Sequence, residues 1–307
     1  MASRGYPRDA GLSARMLLVM FLLGLVYVAF VVALYAIGVS LVLVLVVAAG
    51  FLAVQYWFSD RIALYSMGGK EVSPQEAPTL HGVIDRLCAL ADLPKPRVAI
   101  ADADLPNAFA TGRNQANAVV CVTTGILRRL EEPELEAVLA HELSHVAHRD
   151  VTVMTIAGFL GIAAGLLTRF VLYAGYFGGF GGRRDNDRDS GGLPVVLAVL
   201  VVSAVVYAVS FVLTRALSRY RELSADRSAA VLTGAPATLA SALVKVTGDM
   251  AAIPTRDLRA VEPLNAFFFT PALAPGFSLS SLFSTHPSLE RRLDQLTRIE
   301  AELGRAG

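Results

Sequence analysis

The feature that most constrains the fold is a run without any charged residue, which extends from Met16 to Phe58. One crossing of the hydrocarbon core needs about 20 apolar residues, so this run is too long for one span and suits two. Gly38, Val39 and Ser40 mark the expected bend between them. Two further apolar stretches, residues 151–176 and 193–214, bring the prediction to four transmembrane helices.

Composition agrees with a chain that lies largely in lipid. Of its 307 residues, 54% are hydrophobic and only 17% are charged, a more apolar balance than soluble domains have. The formal net charge of +1 gives no indication of nucleic-acid binding. Cys88 and Cys121 are the only cysteines, too few for a disulfide framework, which favours a reducing compartment.

Lysine and arginine near the span ends predict the orientation, because they are more frequent on cytoplasmic flanks. A cytoplasmic amino terminus would place on the inner side Arg4, Arg8, Arg15, Arg61, Lys70, Arg149, Arg215, Arg219, Arg221 and Arg227. The outer side would hold Arg169, Arg183, Arg184 and Arg188. This imbalance predicts a multi-pass protein of the bacterial cytoplasmic membrane whose polar parts face the cytoplasm.

Periodicity predicts a compact polar region beside the spans. A helix should end before Pro94, the β-branched runs at 97–102 and 117–124 should form a small sheet, and Glu131–Asp150 should be helical. Further helices are expected at residues 215–233, 236–250 and 288–303. The predicted parts are an amino-terminal tail and hairpin (1–58), a polar part (59–150), a second transmembrane pair with its loop (151–217) and a carboxyl-terminal helical part (218–307).

The stretch HELSH, residues 141–145, carries the chemistry. His141 and His145 are four residues apart, so a helix places both imidazoles on one face, where they can reach a single zinc ion. Glu142 is offset by one position and could reach a water molecule on that ion without being a ligand, as a general base must. The spacing predicts one catalytic Zn²⁺ per chain.

A catalytic zinc usually has three protein ligands, so a third must lie elsewhere. His148 is one candidate, but it lies a further turn along the same helix and reaches the ion poorly. Glu222 in RELSAD follows the last predicted span, and antiparallel packing of two spans would bring it to the histidines. Asp226 could then fix the tautomer of a ligand histidine. The charged residues of RELSAD are explained equally well by a solvent-facing, salt-bridged side of a helix next to the membrane.

Taken together, these motifs resemble the HtpX-like membrane zinc metalloproteases, which are related to the CAAX prenyl endopeptidases. The resemblance extends from the amino-terminal hairpin through PNAFATG (106–112), TTGIL (123–127), HELSHVAHRD, RELSAD and LFSTHPSLERRL (282–293). It implies a mainly α-helical integral membrane protein, with a gluzincin-type zinc protease domain and a small β-sheet. It also implies that His141, His145 and Glu222 bind zinc, that Glu142 is the base and that Asp226 supports a ligand.

The resemblance gives roles to two further motifs. His286 and Arg292 correspond to residues that face the cleft and stabilise the oxyanion, although Ser288 stands where a proline is often found. Without the family, His286 could simply cap the closing helix. The second motif, within PNAFATG, is implied to form an edge strand that binds extended substrate. Its small residues and asparagine would also suit a turn and strand without any binding role. Its residues are Asn107, Ala108, Phe109, Ala110, Thr111 and Gly112.

The predicted activity is endopeptidic hydrolysis of polypeptide at the membrane surface. By resemblance, the expected substrates are damaged or misassembled membrane proteins. Prenyl-protein processing is disfavoured because four spans are too few for a large intramembrane chamber. Cleavage within the bilayer is disfavoured because the motif precedes its span. An inactive, zinc-stabilised membrane scaffold or substrate-binding protein remains an alternative, although the presence of Glu142 argues against it.

Overall fold

The structure is a computed structural model that describes residue 6 and residues 9–36, 41–150, 152–154, 192–252 and 286–306. Its helices are α1 (Ala10–Ala36), α2 (Leu41–Ser66), α3 (Pro78–Ala91), α4 (Thr124–Arg129), α5 (Glu132–Ala147), α6 (Gly192–Thr233), α7 (Pro236–Ala252) and α8 (Leu289–Ala306). Its strands are β1 (Gly69–Glu71), β2 (Arg97–Ala101), β3 (Ala108–Thr111) and β4 (Val119–Thr123). The described part of the chain is therefore mostly helical with one small sheet.

The chain divides into two compact units. One unit comprises Ala14–Tyr56 and Val153–Ala216. Within it, Phe30 and Leu34 of α1 pack with Val199 and Val206 of α6. Many large apolar side chains point outward instead, among them Leu17, Phe21, Val32, Val201 and Val212. Such an exposed apolar surface suits contact with lipid rather than water.

Two helices in the described part of the chain are long and apolar enough to cross a membrane. They are α1 (Ala10–Ala36) and the part of α6 from Leu197 to Thr233. Helix α2 covers the second predicted span, whereas the bend at residues 38–40 and nearly all of the third predicted span lie outside the described residues. Four spans therefore stay a prediction.

The other unit comprises Met1–Ser13, Trp57–Thr152 and Leu217–Gly307. Its sheet has the strand order β1-β2-β4-β3. Strands β2 and β4 are parallel, and β1 and β3 pair with them antiparallel at the two edges. The β-branched runs explain β2 and β4, and β4 is buried along its whole length. Strand β3, which comes from NAFATG, is an edge strand.

Helix α5 lies in the middle of this unit. Pro133 lies in its first turn, and Glu131 and Glu134 form a reciprocal capping box at its start. Val138, Leu139 and Leu143 are completely buried in a core that α3, α7 and α8 also line. Because both flanks of α5 are packed, nearly all its side chains from Ala137 to Val146 are withdrawn from water. The histidine motif is thus held on a rigid support.

Candidate metal centre

Helix α5 presents its two histidines on one face, as the spacing predicts. The ring centroids of His141 and His145 are 4.9 Å apart, with the ring planes nearly perpendicular. Both side chains are buried. One turn of helix therefore delivers two imidazoles to a common point.

Helix α6 brings a carboxylate to the same point. Glu222 Oε2 lies 3.5 Å from His141 Nε2, and Glu222 Oε1 lies 3.6 Å from His145 Nε2. One ligand atom from each of the three residues lies within 4.8 Å of the others. The described residues hold no other cluster of this kind. Two imidazole nitrogens and one carboxylate oxygen, all buried, are a donor set that fits a catalytic metal ion.

The opposite nitrogen of each histidine lies against a second carboxylate. His141 Nδ1 is 2.9 Å from Asp226 Oδ1, and His145 Nδ1 is 2.8 Å from Asp150 Oδ2. A proton held on Nδ1 leaves the Nε2 lone pair directed toward Glu222. The Asp226 and Asp150 carboxylates thus hold the Nδ1 side of each ring, and Nε2 is the nitrogen placed to bind a metal.

Asp150 is a functional residue that the sequence analysis missed. It follows Arg149, whose φ of 58° lies in the left-handed region and turns the chain back toward helix α5. Arg221, next to Glu222, approaches Asp150 with its Nε at 3.2 Å. Burial opposes ionisation of Asp150, but the Arg221 guanidinium and His145 lower its pKa. An ionised Asp150 can hold the His145 N–H. The one signal for it in the sequence is an acidic residue directly after the motif helix.

The electrostatics of the two histidines differ. Burial lowers the pKa of His145, which keeps this imidazole neutral and ready to bind a metal. Burial also acts on His141, but the carboxylates of Asp226 and Glu222 outweigh it and raise its pKa to about 9. A metal must therefore displace a proton from His141, and its binding releases that proton.

Glu142 lies on the same helix next to His141, but it is not among the three converging ligand residues. It is 4% exposed, and its Oε2 accepts a hydrogen bond of 3.0 Å from the main-chain N–H of Ala110 in strand β3. Burial, aided by the charge of Glu222, raises the pKa of Glu142 to about 7. A carboxylate with this pKa can accept and return a proton near neutrality.

Comparison with known proteins agrees with this geometry. Residues 74–300 match peptidase family M48. The chain belongs to peptidase family M48. Protease HtpX homolog 1 of Streptomyces coelicolor is 60% identical over 306 residues, which are 100% of this chain and 98% of that protein. Protease HtpX homolog of Moorella thermoacetica is 58% identical over 295 residues, 96% of each chain.

A solved structure shares the fold. Ste24p of S. mikatae matches with a TM-score of 0.51 at 18% identity, over 94% of this chain and 67% of that chain. At this identity the likeness speaks for the fold alone. The family and its HtpX relatives confirm the predicted HtpX-like metalloprotease. M48 membership implies a metal, and the donor set described above fits one.

The two residues implied to stabilise the oxyanion lie in different surroundings. His286 Nδ1 is 3.1 Å from Glu222 Oε2, so this histidine is in the metal centre. Arg292 is 1% exposed, and its Nε and Nη2 donate to Asp226 at 2.8 and 2.6 Å. The structure places the Arg292 guanidinium against Asp226, and the predicted role of Arg292 at the oxyanion stays a prediction. Asp226 binds the guanidinium because a buried carboxylate needs a countercharge.

Helix α8 is capped by Ser288 rather than by His286. Ser288 takes the N-cap position, and its hydroxyl lies 3.4 Å from the N–H of Arg291. Serine is a preferred N-cap residue, so the change from proline has a local explanation. His148 ends helix α5 outside the ligand cluster, and its ring lies 6.2 Å from that of Tyr6.

The predicted substrate strand lies beside the base. Of its six residues, only Ala110 is partly exposed, and the other five are buried. Gly112 has a φ of 137°, and a Cβ there would lie 2.5 Å from the carbonyl oxygen of Asn117. Glycine is thus needed for the turn after β3, whatever its relation to substrate. Asn107 joins β3 to β4 through main-chain and side-chain bonds with Thr123.

Proposed function

We propose that this M48 protease is a zinc endopeptidase that hydrolyses membrane proteins at the cytoplasmic face of the membrane. The single observation that carries the proposal is the convergence of His141, His145 and Glu222, with Glu142 beside them but not among them. Two imidazoles and one carboxylate are typical ligands of a catalytic zinc that keeps a further position open. Zinc bound there would polarise the scissile carbonyl and acidify the attacking water.

The chain's own residues supply proton transfer and charge. Glu142 takes the proton of the attacking water and later delivers it to the leaving amine, because its raised pKa suits both steps. His286, close to Glu222, offers a ring N–H to the developing oxyanion. Asp226 and Asp150 hold the ligand imidazoles. Arg292 acts through Asp226 as a positioning residue rather than on the oxyanion.

Strand β3 supports recognition of an extended polypeptide. Asn107 directs its main-chain carbonyl to β4, whereas the N–H of Ala110 points away from β4 to Glu142. Since main-chain groups alternate in direction along a strand, Ala108 and Ala110 share the outer edge. Pairing through main-chain bonds tolerates many substrate sequences. Because Ala108 and the ligands are buried and Ala110 is only partly exposed, the site must open further to admit substrate.

The membrane location of the proposed substrates rests on the chain's apolar segments. Glu222 lies on helix α6, whose earlier part is apolar and outward-facing. Tyr6 and Asp9 precede α1 and contact the two helices that carry the ligands, at Ala140 of α5 and Ser224 of α6. The amino terminus and the site would then lie on one side, and the distribution of lysine and arginine makes that side cytoplasmic.

Removal of the metal provides the test of this function. The detergent-purified protein, incubated with a chelator, should lose nearly all hydrolysis of an unfolded membrane-protein substrate, and stoichiometric Zn²⁺ should restore it. Product formation is followed on gels, and bound zinc by elemental analysis. Hydrolysis that persists in fully metal-free protein would refute the zinc mechanism. Zinc binding without any hydrolysis would favour the scaffold alternative.

A labelling experiment tests the orientation. Residue 190 lies in the polar loop between the third and fourth predicted spans. A Ser190→Cys variant should react with a membrane-impermeant thiol reagent added outside intact cells, because the loop is expected on the outer face. The native Cys88 and Cys121 are buried and serve as the internal background. Labelling only after the membrane is permeabilised would contradict the cytoplasmic site.

A further inference from the structure

A short segment before helix α1 contacts both helices that carry the metal ligands. The phenol O–H of Tyr6 donates a hydrogen bond of 2.5 Å to the main-chain carbonyl of Ala140, directly before His141. The carboxylate of Asp9 accepts a hydrogen bond of 2.6 Å from the hydroxyl of Ser224, two residues after Glu222. Three peptide links separate Tyr6 from Asp9 and can extend over about 10 Å at most.

Both ends of this segment are firmly held. Tyr6 packs against the core that contains helix α5, and burial raises its pKa well above the ordinary value, so the phenol remains a donor. The two oxygens of Asp9 are both used. Oδ1 accepts from the N–H of Leu12 at 2.7 Å and caps helix α1, while Oδ2 binds the 5% exposed Ser224. Local secondary structure alone explains neither the Tyr6–Ala140 nor the Asp9–Ser224 hydrogen bond.

We propose that Tyr6 and Asp9 are positioning residues that hold α5 and α6 at the separation the metal needs. The inference rests on the proposed metal centre and adds a tether to it. The ligands come from two helices that are distant along the chain, so the ligand set exists only while those helices stay together. A tether that ends beside His141 on one helix and beside Glu222 on the other restricts their relative movement. It raises the fraction of molecules that are competent to bind zinc.

The affinity for Zn²⁺ tests the tether. Full-length protein in detergent is titrated with zinc against a chromophoric chelator, for the parent and for Tyr6→Phe, Ser224→Ala and the double variant. Each single change removes one hydrogen bond and should weaken zinc binding roughly two- to tenfold. A tether released at one end no longer holds the helices, so the double variant should bind little more weakly than the weaker single variant.

Ser13→Ala is the matched control. The hydroxyl of Ser13, in the first turn of α1, is exposed and, among the described residues, bonds only to the main-chain carbonyl of Asp9, so this variant should bind zinc like the parent. Full multiplication of the two single effects would indicate two unrelated local contacts and would overturn the tether. So would zinc affinities for Tyr6→Phe and Ser224→Ala that equal that of Ser13→Ala.

A reciprocal measurement starts from the unaltered tether. If the tether favours zinc binding, zinc must favour the docked tether by the same factor. In a Glu142→Gln background, which prevents self-cleavage, Zn²⁺ should slow trypsin cleavage after Arg8 several-fold, and Ser224→Ala should abolish that protection. An equal cleavage rate with and without zinc would overturn the inference alone. Failure of the protein to bind zinc would overturn the metal centre as well.

Discussion

Glu142→Gln is expected to lower the rate of peptide hydrolysis by on the order of 10²- to 10⁴-fold, the range typical of a lost general base. The substitution keeps the shape of the side chain and an oxygen that can accept the Ala110 N–H. It removes the carboxylate whose pKa burial raises to about 7. The fold and the ligands should therefore persist while proton transfer fails. The measurement is the single-turnover cleavage rate at saturating zinc.

Zinc content is the control that makes this result interpretable. The Gln variant should bind one zinc ion per chain like the parent, because Glu142 is not among the three converging ligand residues. Loss of zinc would instead identify Glu142 as a ligand or as essential to the site's structure. A variant that holds its zinc and cleaves within about threefold of the parent's rate would exclude Glu142 as the base. Proton transfer would then have to come from another group.

Local sequence signals predicted much of the secondary structure. The turn signals and apolar periodicity around α3, α5, α7 and α8 gave helices close to those observed, and the β-branched runs gave β2 and β4. Strand β1 and helix α4 were missed. Strand β1 has only three residues, and its pairing with β2 follows from tertiary contact rather than from its composition. Short elements carry too few residues for a periodic signal.

The candidate site also contains residues that a local sequence pattern predicts and residues that it does not. His141 and His145 share one helical turn, so their spacing alone predicts that they act together. Glu222 is remote along the chain, and the RELSAD sequence alone suits a charged helix face equally well; only the family resemblance singles out Glu222 as a ligand. The structure brings its carboxylate within 3.5 Å of His141 Nε2. A contact between distant segments depends on how helices pack, which no local pattern contains.

Asp150 and Tyr6 illustrate what sequence could not supply. Asp150 contacts His145 directly after Arg149, whose backbone switches to a left-handed conformation at the end of the helix. Nothing in the helical spacing predicts that reversal, although a ligand histidine was certain to need a partner. Tyr6 reaches Ala140 across almost half of the chain. The sequence thus predicts that a ligand histidine has a hydrogen-bond partner, but not which residue that partner is.

Arg292→Met is expected to lower the free energy of unfolding by about 3–5 kcal/mol, the usual cost of breaking a buried ion pair. Asp226 and Arg292 are both withdrawn from water, and their two hydrogen bonds measure 2.8 and 2.6 Å. Without the guanidinium, the buried Asp226 carboxylate beside His141 loses two hydrogen bonds and its arginine countercharge. Zinc affinity should fall as well, because Asp226 positions that ligand. Denaturant titration and zinc titration in detergent measure the two losses.

The double variant Arg292→Met/Asp226→Asn separates the two roles open to Arg292. It removes both charges but keeps an oxygen that can accept the His141 N–H, so stability and zinc affinity should largely return. If Arg292 acts only through Asp226, kcat should return to within about tenfold of the parent, since no donor to the oxyanion has been lost. A kcat that stays 10²- to 10³-fold low at full zinc occupancy is the loss expected for an oxyanion donor. That result would place Arg292 on the reacting carbonyl and show that the guanidinium leaves Asp226 when substrate binds.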